Sequence, residues 1–302
     1  MSLVANISES ERIFINHGVD LNIRSDGRSC TDFRNILLEQ GVIETCNGSA
    51  HARSGNTDVL VGIKLELEEV ADVDTFADAA AAAASDSRGR LQIFADISAI
   101  ASPAFEGRKG EDITCQLEAL FAEFLPDYLD LEKLVIVPQK SYFAMHIDIV
   151  ILECSSFASL VDVTSIAIKT ALYDVKIPHT VVLSVEHNEF QVSEDSFQAT
   201  SLDASKVPLV TSYTKVASKF IVDPTWEEEQ ASVGTVSIAF FPPDEIVRIK
   251  KLRVGSISSE AFPDLYQLAT KFGLELAEKF TAKMSEQNSR LKTNGKITFS
   301  LN

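Results

Sequence analysis

The sequence predicts an α+β fold of two β-α lobes, with mixed or antiparallel sheets and packed helices. Strand-like segments joined by Gly or Asn turns come in two series, and each series ends in a helix with a broad apolar face. The length of 302 residues suffices for two such lobes around a substantial core. We expect an N-terminal domain over 1–190 and a C-terminal domain over 191–302.

The first lobe opens with Ser8 and Glu11, which form a capping-box pattern and predict a helix that ends at Gly18. Asp26-Gly27 predicts a turn. Four strands are then expected, at Phe33–Leu38, Val42–Cys46, Ser49–Arg53 and Asp58–Leu67. The acidic segment 68–90, which contains an alanine run, predicts a mobile insertion between strands.

The rest of the first lobe alternates strands with helices. A charged loop between glycines is expected at Glu106–Gly110, and a helix with apolar residues at a spacing of three or four follows it and ends at Pro126. The predicted strands are Leu91–Ile97, Leu134–Val137 and Tyr142–Leu152. A second helix is predicted over Phe157–Tyr173.

The second lobe starts after a junction near 185–200. The predicted strands are Thr180–Val185, which precedes the junction, and Pro208–Lys215, Lys219–Val222, Ser232–Phe240 and Glu245–Lys250. A long helix is expected from Ser259 to about Ser285, with a frayed tail after Glu286. We predict that the apolar strand edge Pro208–Thr214 pairs across an interface.

Composition restricts the function classes. The net charge of −17 is opposite to that of most stand-alone nucleic-acid binders, so RNA contact would need a local basic patch or a more basic partner. No apolar run is long enough to span a membrane, and the polar N-terminus does not resemble a signal sequence, so no membrane association is expected. Four cysteines without a C-x-x-C pair predict reduced thiols.

Several motifs together resemble the RNase PH family over roughly 8–283. They are the turn Arg24-Ser25-Asp26-Gly27-Arg28, the segments Gly48-Ser49-Ala50 and Gly55-Asn56-Thr57-Asp58, the loop Phe105-Glu106-Gly107 and the helix Ile166–Leu172. This resemblance implies an RNase PH-like fold of two β-α lobes around a pseudo-dyad. It also implies a six-membered ring of such subunits with a central channel for single-stranded RNA.

The opening segment, 8–28, is most similar to one branch of that family, the archaeal-type companion subunits of the RNA exosome core. The resemblance implies a non-catalytic ring subunit, an obligate hetero-oligomer whose partners are other RNase PH-type ring subunits, cap subunits and single-stranded RNA. It implies roles in rRNA maturation and mRNA turnover, in the nucleus, including the nucleolus, and in the cytoplasm. No cofactor and no bound metal are expected.

Active members of the family hold inorganic phosphate at a Gly-Ser/Thr-Arg-like turn between a long strand and a helix, where backbone N–H groups and an arginine bind the anion. In this chain the turn is Glu153–Ala158. It contains the hydroxyls of Ser155 and Ser156 but no glycine and no arginine, and Phe157 is apolar. We expect that the phosphate site is lost and favour the interpretation that the serines cap the next helix.

Asp223 and Glu229 match the family segment that contains the catalytic acids, with Glu in place of the second Asp. We favour the interpretation that they are remnants in a strand end and a solvated acidic turn. The alternative is an active phosphate-dependent 3′-to-5′ exoribonuclease that uses both acids. Arg28 is expected to pair near Asp26 in a structural role.

Arg108 and Lys109 are candidate RNA-binding residues, because two cations on an exposed loop suit sequence-independent phosphate contact. An ordinary surface loop is an equal alternative, and donation of either cation to a partner's active site is a third. Lys250, Lys251 and Arg253 are interpreted as ordinary surface, with a contact patch as the alternative.

Overall fold

The computed structural model describes residues 7–69, 89–98, 101, 108–138, 140–184, 188–193, 198–243, 245–253, 255–290 and 297–301. The predicted insertion at 68–90 lies outside the described residues from 70 to 88. Strand β3, defined below, continues through Glu69, and the description resumes at Gly89. In the described part of the chain, no helix is both long and apolar enough to cross a membrane.

Five α-helices are described. They are α1 (Glu9–Asp20), α2 (Arg108–Ala122), α3 (Phe157–Asp174), α4 (Trp226–Ala231) and α5 (Phe262–Arg290). The capping box predicted for α1 is present, because the Ser8 hydroxyl accepts from the Glu11 N–H and the Glu11 carboxylate accepts from the Ser8 N–H. Gly18 does not end the helix, which continues to Asp20. A side chain at Gly18 would instead meet the Ile23 carbonyl oxygen at 2.7 Å.

A seven-stranded mixed sheet forms the first lobe. Its strands are β1 (Ile36–Gln40), β2 (Gly48–Ser54), β3 (Thr57–Glu69), β4 (Leu91–Ile97), β5 (Val135–Val137), β6 (Ser141–Glu153) and the C-terminal strand β15 (Ile297–Leu301). The order is β15-β1-β2-β3-β6-β4, with β5 also paired to β6. The β4–β6 pair is parallel and the other pairs are antiparallel.

The second lobe is a four-stranded antiparallel sheet in the order β12-β11-β13-β14. These strands are β11 (Leu209–Val216), β12 (Lys219–Val222), β13 (Gly234–Phe241) and β14 (Glu245–Lys251). Four short strands lie between the lobes in sequence and form two two-stranded sheets: β7 (Lys176–Ile177), β8 (Thr180–Ser184), β9 (Glu189–Val192) and β10 (Thr200–Ser201).

Helix α3 lies at the centre of the molecule. It packs against β2 and β3 on one side and against β11 on the other, and its residues from Ala158 to Leu172 are buried. The packing is close, because a side chain at Gly48 of β2 would meet the Ala171 carbonyl oxygen at 2.7 Å. Because α3 packs against both sheets, the N-terminus of α3 lies between the two lobes, and this region contains the candidate site.

Three further predictions for the fold are wrong. Val42–Cys46 is not a strand, since Ile43 and Cys46 pack over Gly62 from a turn whose Ile43 N–H donates to Ser49 Oγ at 2.9 Å. The tail after Glu286 is not frayed throughout, because β15 pairs with β1. The segment Pro208–Thr214 does not present a free edge, because β11 pairs with β13 from Leu209 to Lys215 and with β12 from Tyr213 onward, and the Val210 N–H donates to Ser165 Oγ of α3 at 2.8 Å.

Candidate functional site

Asp223 follows the last residue of β12 and joins the two lobes. Its backbone is left-handed, with φ of 45°, a conformation that Asp tolerates better than most residues. The carboxylate is buried and accepts hydrogen bonds from two arginines of the N-terminal segment. Arg34 Nε and the Arg34 backbone N–H reach Oδ2 at 2.8 and 2.9 Å, and Arg34 Nη2 reaches Oδ1 at 2.5 Å. Arg28 Nη1 reaches Oδ2 at 3.0 Å.

Arg34 connects this carboxylate to the start of α3. Its Nη2 also donates to Ser159 Oγ at 3.0 Å, and Thr57 Oγ1 lies 3.3 Å from the same hydroxyl. Ser155 Oγ lies 3.4 Å from Thr57 Oγ1. Gly55, with φ of +56°, leaves room for the guanidinium, because a Cβ there would stand 2.6 Å from Arg34 Nη1. These contacts form a polar cluster that is mostly shielded from solvent.

A buried ion pair between Arg24 and Glu228 holds α4 next to this cluster. Arg24 Nε and Nη2 donate to the two carboxylate oxygens of Glu228 at 2.8 and 2.5 Å, and Arg24 Nη2 also donates to the Asp223 carbonyl at 2.9 Å. Thr225 and Glu228 form a capping box at the start of α4. The prediction of a solvated acidic turn is therefore wrong, since Glu228 and Glu229 are buried in a short helix.

Glu229 occupies the N-terminus of α3. Its Oε2 accepts the Phe157 backbone N–H at 3.0 Å. Ser156 is the N-cap residue, and its hydroxyl accepts the Ser159 N–H at 3.5 Å. A carboxylate at the positive end of a helix is electrostatically favourable and satisfies a backbone donor that would otherwise lack a partner. The turn 153–158 is thus capped from within the chain, by one serine and by one carboxylate from the other lobe.

The two acids differ in their electrostatics. Burial alone would raise the pKa of the Asp223 carboxyl, but the hydrogen bonds and charge of Arg34, with the charge of Arg28, outweigh it and hold the pKa below its usual value. Burial raises the pKa of Glu229, against the opposing effects of Ser156, Arg253 and Phe157. Burial and then the charge of Glu229 raise the pKa of the Cys154 thiol to about 12, so this thiol stays protonated.

The predicted RNA-binding pair lies elsewhere, at the start of α2. Arg108 and Lys109 were expected on a loop, but the structure places both in the first turn of this helix, and Arg108 is exposed. Residues 105–107 of the predicted loop, and the Lys109 side chain, lie outside what the structure describes. Two cationic residues in the first turn destabilise a helix, because this end of the helix dipole is positive. The same end is suited to binding an anion.

The other basic residues considered in the sequence, Lys250, Lys251, Arg253 and Arg28, have partners within the chain. Lys250 pairs with Glu123 at 3.3 Å, and Lys251 donates to the Gly255 carbonyl. Arg253 donates to the Glu229 carbonyl. Arg28 pairs with Asp26 at 2.6 Å, as predicted, but also with Asp223.

Arg34 and Ser159 were not predicted as site residues, and Arg24 was recognised only as part of a turn motif. Arg34 is a single cation inside a predicted strand, and nothing local in the sequence connects it to a carboxylate 189 positions later. The Arg24–Glu228 pair is separated by 204 positions. The role of Arg34, a partly buried arginine beside the turn at Gly55, is visible only once the lobes are packed.

Both lobes of the chain are similar to known proteins. Residues 32–178 match domain 1 of the 3′ exoribonuclease family, RNase PH, and residues 206–271 match its domain 2. The chain is 28% identical to the putative exosome complex exonuclease RRP42 of Dictyostelium discoideum, over 89% of this chain and 95% of that protein. It is 31% identical to the exosome complex component Rrp42 of Thermococcus kodakarensis, over 85% of this chain and 89% of that protein.

Solved structures give the same result for the fold. The Archaeoglobus fulgidus exosome with RNA bound to the active site contains a chain that superposes with a TM-score of 0.70 at 25% identity, covering 90% of this chain and 98% of that one. A chain of an archaeal exosome core superposes with a TM-score of 0.67 at 23% identity, covering 90% and 97%. The predicted α+β, RNase PH-like fold is confirmed. From the two matched domains and the 31% identical relative, we conclude that this chain belongs to the RNase PH family of 3′ exoribonucleases.

Proposed function

We propose that this chain is a ring subunit of an RNA exosome and does not itself cleave RNA. In this role it scaffolds a six-membered ring with other RNase PH-type subunits, contacts cap subunits and helps to thread single-stranded RNA for 3′-to-5′ processing and decay. Relatives named as exosome component Rrp42 and superposable exosome structures support the assembly. Within the eukaryotic exosome, the opening segment favours component seven. The acidic surface suits neighbours of opposite charge.

One observation supports the absence of cleavage above the others. The Glu229 carboxylate accepts the Phe157 N–H at 3.0 Å, at the helix N-terminus where phosphate would have to bind. A phosphate ion there would be placed next to a buried carboxylate of the same charge. The turn also lacks the arginine and the glycine that would help to hold it.

The geometry of Asp223 points the same way. Both of its oxygens accept hydrogen bonds from arginine, so the carboxylate is already neutralised and its pKa is lowered. Metal coordination by Asp223 and Glu229 does not fit, because it would compete with these arginines and with the Phe157 N–H. The alternative function, an active exoribonuclease that uses Asp223 and Glu229, is therefore less well supported.

The test is phosphorolysis by the purified chain. We would incubate it with end-labelled single-stranded RNA, inorganic phosphate and Mg²⁺, and measure nucleoside diphosphates. We expect none above the level of a no-enzyme blank. Phosphate-dependent release that is lost in Asp223→Asn, but kept in the partly exposed control Asp130→Asn, would overturn the proposal in favour of the active enzyme.

We further propose that Arg108 and Lys109 contact RNA in the ring channel. The support is their position in the first turn of α2, where backbone N–H groups and the exposed side chain of Arg108 can meet a phosphate. The charge-reversal variant Arg108→Glu/Lys109→Glu, reconstituted with its ring partners, should protect a shorter RNA 3′ segment from nuclease. Lys206→Glu, at an exposed lysine, is the matched control. Unchanged protection in the double variant would exclude this role. Loss of partner cleavage with intact protection would instead indicate donation to a neighbouring active site.

Two further expectations belong to this proposal. One is a domain boundary near 190, which falls between the two matched family segments. The other is residence in both nucleus, including nucleolus, and cytoplasm. Microscopy of a fluorescent fusion that remains assembled with its partners tests the second, and confinement to one compartment would contradict it.

A further inference from the structure

A group of large apolar side chains on α1 and in the turn after it is exposed to solvent. The exposed fractions are 52% for Ile13, 70% for Phe14, 72% for Leu21 and 63% for Ile23. Exposing this much apolar area in one place is unfavourable and typically marks an interaction site. We call this group, with the two cavities beside it, the α1 surface.

Two cavities on the α1 surface share Phe14, Ile15 and Ser25 in their walls. The first has a volume of 260 Å³ and extends along α1 past Gly18 to Leu21 and Ile23. The second has a volume of 520 Å³ and is lined on one side by Trp226 at the start of α4. Each cavity is large enough to receive a large apolar side chain, and Phe14 forms part of the wall of both.

The charged groups in the walls are mostly acidic. Arg24 and Glu228 neutralise each other in their buried ion pair. Of the other ionisable side chains in the walls, Glu11 and Glu227 line the second cavity and His17 lines the first. Glu11 accepts a hydrogen bond from the Ser8 N–H at 2.7 Å, and Glu227 accepts one from the Thr225 hydroxyl at 3.1 Å. These bonds to the helix caps hold both carboxylates at the rim of the second cavity.

We propose that the α1 surface binds a basic amphipathic segment of another protein. Its apolar side chains enter the two cavities, and its Lys or Arg residues pair with Glu11 and Glu227. A second copy of this chain does not fit, because a symmetric contact would bring the same carboxylates together. RNA does not fit either, because its phosphates would be repelled by the same two groups. This inference does not depend on whether the chain cleaves RNA.

The chain's single tryptophan provides the measurement, because Trp226 lines the second cavity. The probes are two helical peptides of about 14 residues, or roughly four turns. Both have leucines on one face; one has lysines on the other face and its matched counterpart has glutamates. We expect the Leu/Lys peptide to change Trp226 emission saturably, with an affinity that falls as salt is added. The Leu/Glu peptide should have no saturable effect.

Substitutions assign the effect to the α1 surface. Phe14→Ala should weaken Leu/Lys binding about ten-fold, and Glu227→Lys should shift the preference toward the Leu/Glu peptide. Phe94→Ala, at a phenylalanine of β4 that is 51% exposed, is the matched control and should leave binding unchanged. The proposal is overturned by equal binding of both peptides or by unchanged binding in Phe14→Ala. It is also overturned by saturable binding of a single-stranded oligonucleotide at this tryptophan, or by self-association that Phe14→Ala abolishes.

Discussion

The Glu229 carboxylate, from the second lobe, accepts the backbone N–H of Phe157, the first residue of the central helix, at 3.0 Å. This contact links the two lobes and fills the position where an anion would bind a helix N-terminus. Glu229, which matches a catalytic acid of the RNase PH family by resemblance, thus caps the central helix in this chain.

Removing that carboxylate should expose an anion site. In Glu229→Ala the Phe157 N–H loses its acceptor, so phosphate or sulfate should stabilise the variant more than the wild type, by about 1.4 kcal/mol when the anion is at ten times its Kd. Thermal unfolding in phosphate and in chloride at equal ionic strength measures this. Glu227→Ala, which removes an exposed carboxylate of the same helix, is the control. An equal anion effect in both variants would mean that Glu229 does not occupy a binding position.

The Asp223 carboxylate should contribute strongly to stability at neutral pH. Asp223→Asn leaves two arginines without their buried partner and should cost about 3 kcal/mol in urea denaturation. Asn tolerates the left-handed backbone, so the loss of stability reports the loss of the charge.

Because the folded pKa of Asp223 is lowered, its stabilisation is present above the ordinary pKa of 3.8 and is lost as the pH falls below it. The cost of the substitution should shrink in that acidic range. Asp130→Asn, in a partly exposed pair, should cost less than about 1 kcal/mol, and an equal cost would contradict the account.

Gly55 should matter because of Arg34. Gly55→Ala forces a left-handed Ala and also places a Cβ 2.6 Å from Arg34 Nη1, whereas Gly27→Ala, at φ of +82°, has no atom within 4 Å of the added carbon. Both substitutions should lose about 1–2 kcal/mol from backbone strain. Gly55→Ala should lose an additional 1 kcal/mol or more, roughly the cost of overpacking. Equal losses in the two variants would mean that the guanidinium moves aside freely.

Asp162 should destabilise the folded chain as the pH rises. It lies in the buried helix α3, and neither carboxyl oxygen has a hydrogen-bond partner among the residues that the structure describes. Burial raises its pKa well above 3.8, against the opposing effect of Ser212 and with a smaller contribution from the charge of Asp223, so it stays protonated after the unfolded chain has ionised. Stability is therefore lost from about pH 4 upward until the folded acid also ionises. Asp162→Asn should be more stable by on the order of 1 kcal/mol at pH 7, with a gain that disappears near pH 4. The exposed variant Asp127→Asn is the control, and a gain independent of pH would contradict this interpretation.

Long apolar elements were predictable from the sequence. The central helix was predicted over Phe157–Tyr173 and extends to Asp174, and β12 was predicted at its observed bounds, because burial on both faces leaves continuous apolar runs. The strand β15 was not predicted, since an edge strand pairs through its backbone and needs no apolar pattern.

The site could be predicted only in part. The turn 153–158 and the two acids were located by resemblance. The state of those acids was not, because Arg34 binds Asp223 from 189 positions away in sequence and the Phe157 N–H binds Glu229 from 72 positions away. A run of three glutamates predicts a solvated turn, yet Glu228 and Glu229 are buried here because each has a specific long-range partner.

Equilibrium binding of radiolabelled inorganic phosphate to the wild-type chain and to Glu229→Ala tests most directly whether Glu229 blocks the phosphate site at the N-terminus of α3. We expect no saturable binding by the wild type at low millimolar phosphate and measurable binding by the variant. Saturable binding by the wild type that Ser155→Ala or Asp223→Asn abolishes would contradict it.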